Sequence, residues 1–161
     1  RLLQDGHRVT GIDSLNDAYD RRLKDWRLAR LQGRPGFSFH KVDIADAAAL
    51  EAALGDGAFE TVFNLAARAG VRPSLKVPGL YFETNVNGAL NVLEAARRRG
   101  TTKFVQASTS SLYGAHNPRP FVETADVSRP LSPYAAKLQC PAYARHAVAA
   151  HALMPSDHCH P

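Results

Sequence analysis

Two stretches of this chain carry side chains that could move a proton at an alcohol. Ala107-Ser108-Thr109-Ser110-Ser111-Leu112-Tyr113-Gly114 crowds hydroxyls into one short segment, and Ser132-Pro133-Tyr134-Ala135-Ala136-Lys137 sets a phenol three residues ahead of an ammonium. A phenol is a poor base at neutral pH, but an adjacent ammonium and an oxidised nicotinamide favour its phenolate and allow it to take a proton from a carbinol. Thr109 would then hold the substrate hydroxyl. A serine-rich turn with a surface tyrosine has the same composition. The functional reading gains its weight from the ordered strand that leads into the turn.

Two acids stand where strand-like runs end. His7-Arg8-Val9-Thr10-Gly11-Ile12 finishes in Asp13, and Phe37-Ser38-Phe39-His40-Lys41-Val42 finishes in Asp43. An acid closing a strand beside a dinucleotide accepts hydrogen bonds from both hydroxyls of an adenosine ribose and repels a 2′-phosphate, so Asp13 favours NAD over NADP. By itself Asp13 suits a solvated loop equally well. Asp43 could accept from the adenine amino group, with Ile44 against the ring. The glycine-rich phosphate loop that precedes such an acid by about 20 residues falls ahead of Arg1.

These groups need elements to position them. Arg1-Leu2-Leu3-Gln4-Asp5-Gly6 reads as the last turn and C-cap of a helix, and with no initiating Met the chain is expected to be part of something longer. A charged segment with Trp26, Leu28 and Leu31 is stopped by Gly33-Arg34-Pro35-Gly36. Ala47 to Leu54 is helical and is broken by Gly55-Asp56-Gly57; Thr61-Val62-Phe63-Asn64-Leu65 is an apolar strand of the kind buried in parallel sheets. From about Leu80 to Arg99, Val86, Ala89, Leu90, Leu93 and Ala96 recur at helical spacing ahead of Gly100. Lys103-Phe104-Val105-Gln106-Ala107 makes a fourth strand.

Strands alternating with helices predict an α/β domain with a doubly wound parallel sheet, Rossmann-like, missing its first strand and glycine-rich loop. In such a sheet the first strand is central. Its omission would leave the strands at Arg8–Asp13 and Thr61–Leu65 without the neighbour between them.

The 161 residues are 45% hydrophobic and 22% charged, within the range of an ordinary globular domain and outside that of disordered or fibrous chains. Cys140 and Cys159 form no disulfide framework, and no apolar run is long enough for a secretory signal or a bilayer span. Cytoplasm is the expected compartment. The net charge of +5 is scattered; its one run, Arg97-Arg98-Arg99, complements a helix C-terminus, and no nucleic acid or membrane is expected as a partner.

The motifs in order, namely Asp13, Asp43-Ile44, Asn64-Leu65-Ala66-Ala67, Asn85-Val86-Asn87-Gly88, Ser108 to Gly114 and Ser132-Pro133-Tyr134, resemble the NAD-dependent epimerase/dehydratase family of extended short-chain dehydrogenase/reductases. Within it, Ala69-Gly70-Val71-Arg72 and Thr109-Ser110-Ser111 look most like UDP-glucuronate 4-epimerases. The resemblance implies NAD as cofactor, a UDP-sugar substrate, a 4-keto intermediate and a homodimer built on the helix at about Leu80–Arg99 and the one opening at Tyr134. It implies Tyr134 as base, Lys137 as partner of the tyrosine and the nicotinamide ribose, and Thr109 as the hydroxyl-binding residue. Asp13, Ser14, Asp43, Ile44, Leu65, Ala66 and Ala67 would line the cofactor, and Ser110 and Ser111 would lie near the substrate's carboxylate. Family dehydratases carry an Asp-Glu pair where this chain has Ser110-Ser111. Eliminating water needs an acid and a base there, so epimerase is favoured over dehydratase, and a related reductase or dehydratase is the alternative among enzymes.

The tail departs from the pattern. The family spacing is Tyr-x-x-x-Lys, but Lys137 is only three residues from Tyr134, Leu138 holds the expected position, and Pro141 interrupts the helix that should follow. The expected organisation is therefore a partial dinucleotide-binding domain over 1–137 and an aberrant, possibly frame-shifted tail over 138–161, with the C-terminal substrate domain absent. A truncated, non-catalytic remnant is the alternative outside enzymes. His146, His151, His158, Cys159 and His160 lack regular ligand spacing, and no metal is expected.

Overall fold

The computed structural model describes residues 1–129 and 132–138, with backbone alone for 136–138. Pro141, Cys140, Cys159 and the tail histidines, on which the frame-shift and metal readings turn, lie outside the described residues. In chain order the elements are β1 (Val9–Asp13), α1 (Arg21–Ala29), β2 (Phe37–Lys41), α2 (Ala47–Leu54), β3 (Thr61–Asn64), α3 (Val71–Lys76), α4 (Pro78–Phe82), a π-turn (Glu83–Gly88), α5 (Ala89–Arg98), β4 (Lys103–Gln106) and two 3₁₀ segments, Ser110–Tyr113 and Pro133–Leu138. Strand and helix alternate as expected, which is the α/β architecture.

The strands form two parallel pairs. β1 runs beside β2 from Val9 opposite Phe37 to Asp13 opposite Lys41, and β3 beside β4 from Thr61 opposite Lys103 to Asn64 opposite Gln106. Among the described residues no ladder joins the pairs, so β1 and β3 each have a hydrogen-bonded neighbour on one side only. Parallel sheets are ordinarily covered on both faces. Here Phe63 is 50% exposed and Leu65, just beyond β3, is 70% exposed.

What connects the halves is the helical segment from 83 to 98. At Gly88 an added Cβ would lie 2.7 Å from Cγ1 of Ile44, so only glycine permits this approach to the loop after β2. One turn on, the Asn91 side-chain amide donates to the carbonyls of Ile44 (2.9 Å) and Ala45 (3.2 Å). At the far end Arg98 and Arg99 pair with Glu51 of α2. The buried apolar set includes Ile44, Leu50, Tyr81, Ala89, Leu93, Ala96 and Leu112.

Local signals are met closely at the caps. His7 N–H donates to Leu2 O (3.0 Å) and Gly6 N–H to Leu3 O (3.2 Å), with Gly6 at φ +84°, the paired bonds of a helix C-cap. Asp46 caps α2 by accepting from Ala49 N–H at 2.9 Å.

Two expectations are revised, and α1 adds a feature that no pattern announced. The helix expected over about Leu80–Arg99 is two α-segments joined by the π-turn, which falls where Asn85 and Gly88 make their contacts. In the segment around Trp26, the buried residue of α1 is Lys24, while Trp26 is 56% exposed. The helix opening at Tyr134 is 3₁₀ over Pro133–Leu138. With three residues per turn, positions 134 and 137 fall on one face of that backbone, which removes the rotation expected from the short Tyr-to-Lys spacing.

Candidate functional site

In open parallel sheets ligands bind beyond the carboxyl ends of the strands. All the residues singled out above follow such an end or lie on the segment packed beside one. After β1 the chain turns sharply: Asp13 Oδ1 accepts from Leu15 N–H at 2.7 Å, and Leu15 takes φ +49°. This places the carboxylate, 48% exposed, at the mouth of the turn beside half-buried Ser14. Its Oδ2 makes no hydrogen bond among the described residues. The Lys24 ammonium lies 3.6 Å from Oδ1, donates to Asn16 Oδ1 at 3.0 Å and sits 4.8 Å from the Tyr19 ring centroid. After β2 the same device recurs: Asp43 Oδ1 accepts from Ala45 N–H at 3.0 Å, and the carboxylate is exposed. Ile44 is only 6% exposed, its side chain under Gly88.

After β3 the loop Leu65–Gly70 is held from outside itself. Buried Asn64 donates to Gln106 Oε1 (2.9 Å) and accepts from Ala66 N–H (3.3 Å). Asn85, fully buried in the π-turn, accepts from Arg68 N–H (2.7 Å) and donates to Arg68 O (3.0 Å). Tyr81 donates its hydroxyl proton to Ala69 O at 2.8 Å. The loop thereby presents Leu65 and Ala67 outward, with Ala66 half-buried.

After β4, Thr109 is extended, and its Oγ1 accepts from Ser111 N–H at 3.2 Å, capping the 3₁₀ turn. That contact occupies an acceptor site and leaves the hydroxyl proton for another group. Ser110 is exposed and Ser111 half-buried. The turn packs against the 3₁₀ segment carrying half-buried Tyr134, whose neighbour Ala135 is wholly buried. Between them the loop from Gly114 is tied back by Asn117, which donates to the carbonyls of Tyr113 and Asp126 at 2.6 Å each, and by Tyr113 stacked on Phe121 at 4.7 Å. Hydrogen bonds from the Ser128 side chain and then its amide hold the Asp126 carboxyl below the usual range.

The structure thus gathers Thr109, Ser110, Ser111 and Tyr134 at one pair of strands, with Leu65–Ala67 at the same pair, and Asp13, Ser14, Asp43 and Ile44 at the other. Four residues that hold these groups carried no assigned role: Lys24, Tyr81, Asn85 and Asn91. Asn85 stands inside a quoted motif and Asn91 one turn beyond it, so both could have been suspected. Lys24 could not, because nothing in a charged helix marks which of its cations is buried. Among the described residues no group of three or more His, Cys, Asp or Glu could hold a metal ion, and no helix is long and apolar enough to cross a membrane.

A family model described as GDP-mannose 4,6 dehydratase matches residues 1–153. UDP-glucuronate 4-epimerase of Thermodesulfobacterium geofontis is 47% identical over 135 residues, covering 84% of this chain and 42% of that protein. The chain therefore spans less than half the length of that relative. Among solved structures, a UDP-N-acetylglucosamine 4-epimerase from Methanobrevibacter ruminantium superposes with a TM-score of 0.73 at 30% identity, over 91% of this chain and 44% of that one. A UDP-glucose 4-epimerase from Stenotrophomonas maltophila, solved with bound NAD, gives 0.74 at 28% identity, over 94% and 44%.

Proposed function

The chain belongs to the GDP-mannose 4,6 dehydratase family, and from that premise we propose that it supplies the cofactor-binding and proton-transfer residues of an NAD-dependent nucleotide-sugar 4-epimerase acting on UDP-glucuronate. One observation carries the reading: the hydroxyl turn capped by Thr109 packs against the segment bearing Tyr134, at the carboxyl end of a parallel strand.

The residues present fit NAD. Asp13 offers an unbonded, half-exposed carboxylate oxygen to a ribose diol, and Asp43, held by the same turn geometry, offers one to an amino group. Leu65 and Ala67, facing outward on either side of half-buried Ala66, would give the ring system an apolar wall, and Lys137 would engage the nicotinamide ribose. When bound, NAD supplies a reversible acceptor for a hydride from the sugar. Tyr134 takes the proton of the sugar's 4-hydroxyl at its phenolate oxygen and returns it there after the sugar has turned its other face. Thr109, whose acceptor site is filled by Ser111 N–H, donates to the sugar oxygen and keeps it facing Tyr134. Ser110 and Ser111 donate hydrogen bonds to the sugar's carboxylate. Two serines cannot shuttle the protons that loss of water requires, which supports epimerisation over the dehydration for which the family model is named.

The test is inversion at C4 of UDP-glucuronate, followed by proton NMR, in the full reading frame that contains these residues. Production of UDP-galacturonate without net NADH supports the reading. A deoxy-keto sugar would point to a dehydratase, and no conversion in the full frame would leave the non-catalytic alternative.

A further inference from the structure

The positive charge that looks scattered along the chain collects at one helix. Residues 20–34 carry Arg21, Arg22, Lys24, Arg27, Arg30 and Arg34 against Asp20 and Asp25, which is four of the five net positive charges. Both acids are already paired, Asp20 with Arg22 at 2.6 Å and Asp25 with Arg21 at 3.8 Å. Lys24 is buried and Leu28 half-buried, so their side of α1 faces the protein. Leu23, Trp26, Arg27 and Arg30 recur at i, i+3, i+4 and i+7 and form one exposed face about 100° wide, with Asp25 on the far side. On this face Leu23 is 45% and Trp26 56% exposed, and neither Arg27 nor Arg30 has a carboxylate partner among the described residues. Tyr19, just ahead of the helix, extends the patch by accepting from the Arg27 guanidinium at 3.2 Å.

Exposed apolar side chains set among unpaired guanidinium groups fit a partner that is apolar and anionic at once. Stacking of nucleic-acid bases needs open ring faces. Here Arg30 lies over Trp26 at 4.8 Å, and Lys24 and Arg27 lie over Tyr19 at 4.8 and 5.9 Å. A stable protein interface needs roughly 800 Å² from each partner, and a helix face about 10 Å long supplies only a fraction of that. A bilayer needs no matching shape. Against the expectation of no membrane partner, we propose that this face of α1 docks on an anionic lipid surface. Leu23 and Trp26 enter the boundary between headgroups and acyl chains, and Arg27, Arg30 and the exposed Arg34 pair with lipid phosphates. None of these residues has a part in the proposed chemistry, so the docking stands or falls apart from it.

Trp26 is the chain's one tryptophan, so its fluorescence reports on the face directly. The 161-residue chain is titrated at low salt with vesicles of phosphatidylcholine alone and with vesicles containing about 30% phosphatidylglycerol. The emission should shift to the blue, with a partition coefficient about tenfold or more higher on the anionic vesicles and falling as salt is added. The double variant Arg27→Gln/Arg30→Gln should lower that coefficient by about tenfold or more. Lys76→Gln/Lys103→Gln removes the same charge from exposed positions elsewhere and should stay within about threefold of the unsubstituted chain. Leu23→Ser keeps every charge and should lower partition about threefold. All five substituted positions are exposed, so the core is left intact. Equal losses in the two charge-matched variants, or no shift with anionic vesicles, overturn the docking. A shift produced by an oligothymidylate or by polyglutamate and not by the anionic vesicles also overturns it, and gives the face to nucleic acid or to an acidic protein.

Discussion

The two strand pairs hold their site residues by different means. At the ends of β1 and β2 the acids are fixed by their own neighbours, Asp13 by Leu15 N–H and Asp43 by Ala45 N–H, each two residues away. At the end of β3 the loop is fixed from a distance: Asn85 reaches back 17 residues to Arg68, and Tyr81 reaches back 12 to Ala69. The first arrangement forms wherever the chain turns, because an Asx turn needs only its own peptide groups. The second exists only after helix and loop have packed together. The turns at the ends of β1 and β2 should therefore keep their local geometry under substitutions that dismantle the loop after β3.

The largest effect that would sharpen this contrast is on chemistry. In the full reading frame, Tyr134→Phe should lower the proposed epimerisation by about 10²–10⁴-fold while leaving the NAD dissociation constant within about twofold, since the phenol lies at the other strand pair from the proposed adenosine site. Comparable losses in both would show that the two ends are not separable. Next is Asn85→Ala, which leaves both Arg68 backbone groups without their side-chain partner. It should cost about 2–4 kcal/mol in urea unfolding, whereas Asp43→Ala should cost about 1 kcal/mol or less. Equal costs would break the comparison. Gly88→Ala tests the seam itself, and the collision with Ile44 should cost about 1–3 kcal/mol with a change in hydrogen exchange on both sides of it.

The smallest effect concerns the ion pair that joins α2 to α5. Arg99 and then Arg98 hold the Glu51 carboxyl below the usual carboxylate range. A lowered folded-state value means that the pair's contribution is complete above the ordinary range and is lost as pH falls through the lowered one. Glu51→Gln should cost no more than about 1 kcal/mol at neutral pH, as expected for a partly exposed pair. The difference from the unsubstituted chain should close on acidification below the ordinary range, and a difference that stays constant with pH would show that charge is not what Glu51 contributes.

Much of the first half was legible from residue types and spacing. The acids at the ends of β1 and β2, the cap at Gly6 and the alternation of strand and helix all rest on interactions spanning a few residues, which a linear sequence displays directly. The second half was legible only in part. Thr109, the serines and Tyr134 stand out as chemical types, but that their two 3₁₀ segments pack together is a fact of assembly. The three-residue spacing of Tyr134 and Lys137 looked like a defect because an α-helix was assumed, and a 3₁₀ backbone changes its meaning.

The sequence alone determined the parallel α/β plan and the kinds of group available for proton transfer, because both follow from residue type, period and order along the chain, and its motifs carried the resemblance to the family. Tertiary structure alone decided which cation of a charged helix is buried against Asp13 and which asparagine clamps the loop after β3. These outcomes turn on which groups become neighbours once water is excluded, and residues 11 to 17 apart carry no mark of that until the chain has closed.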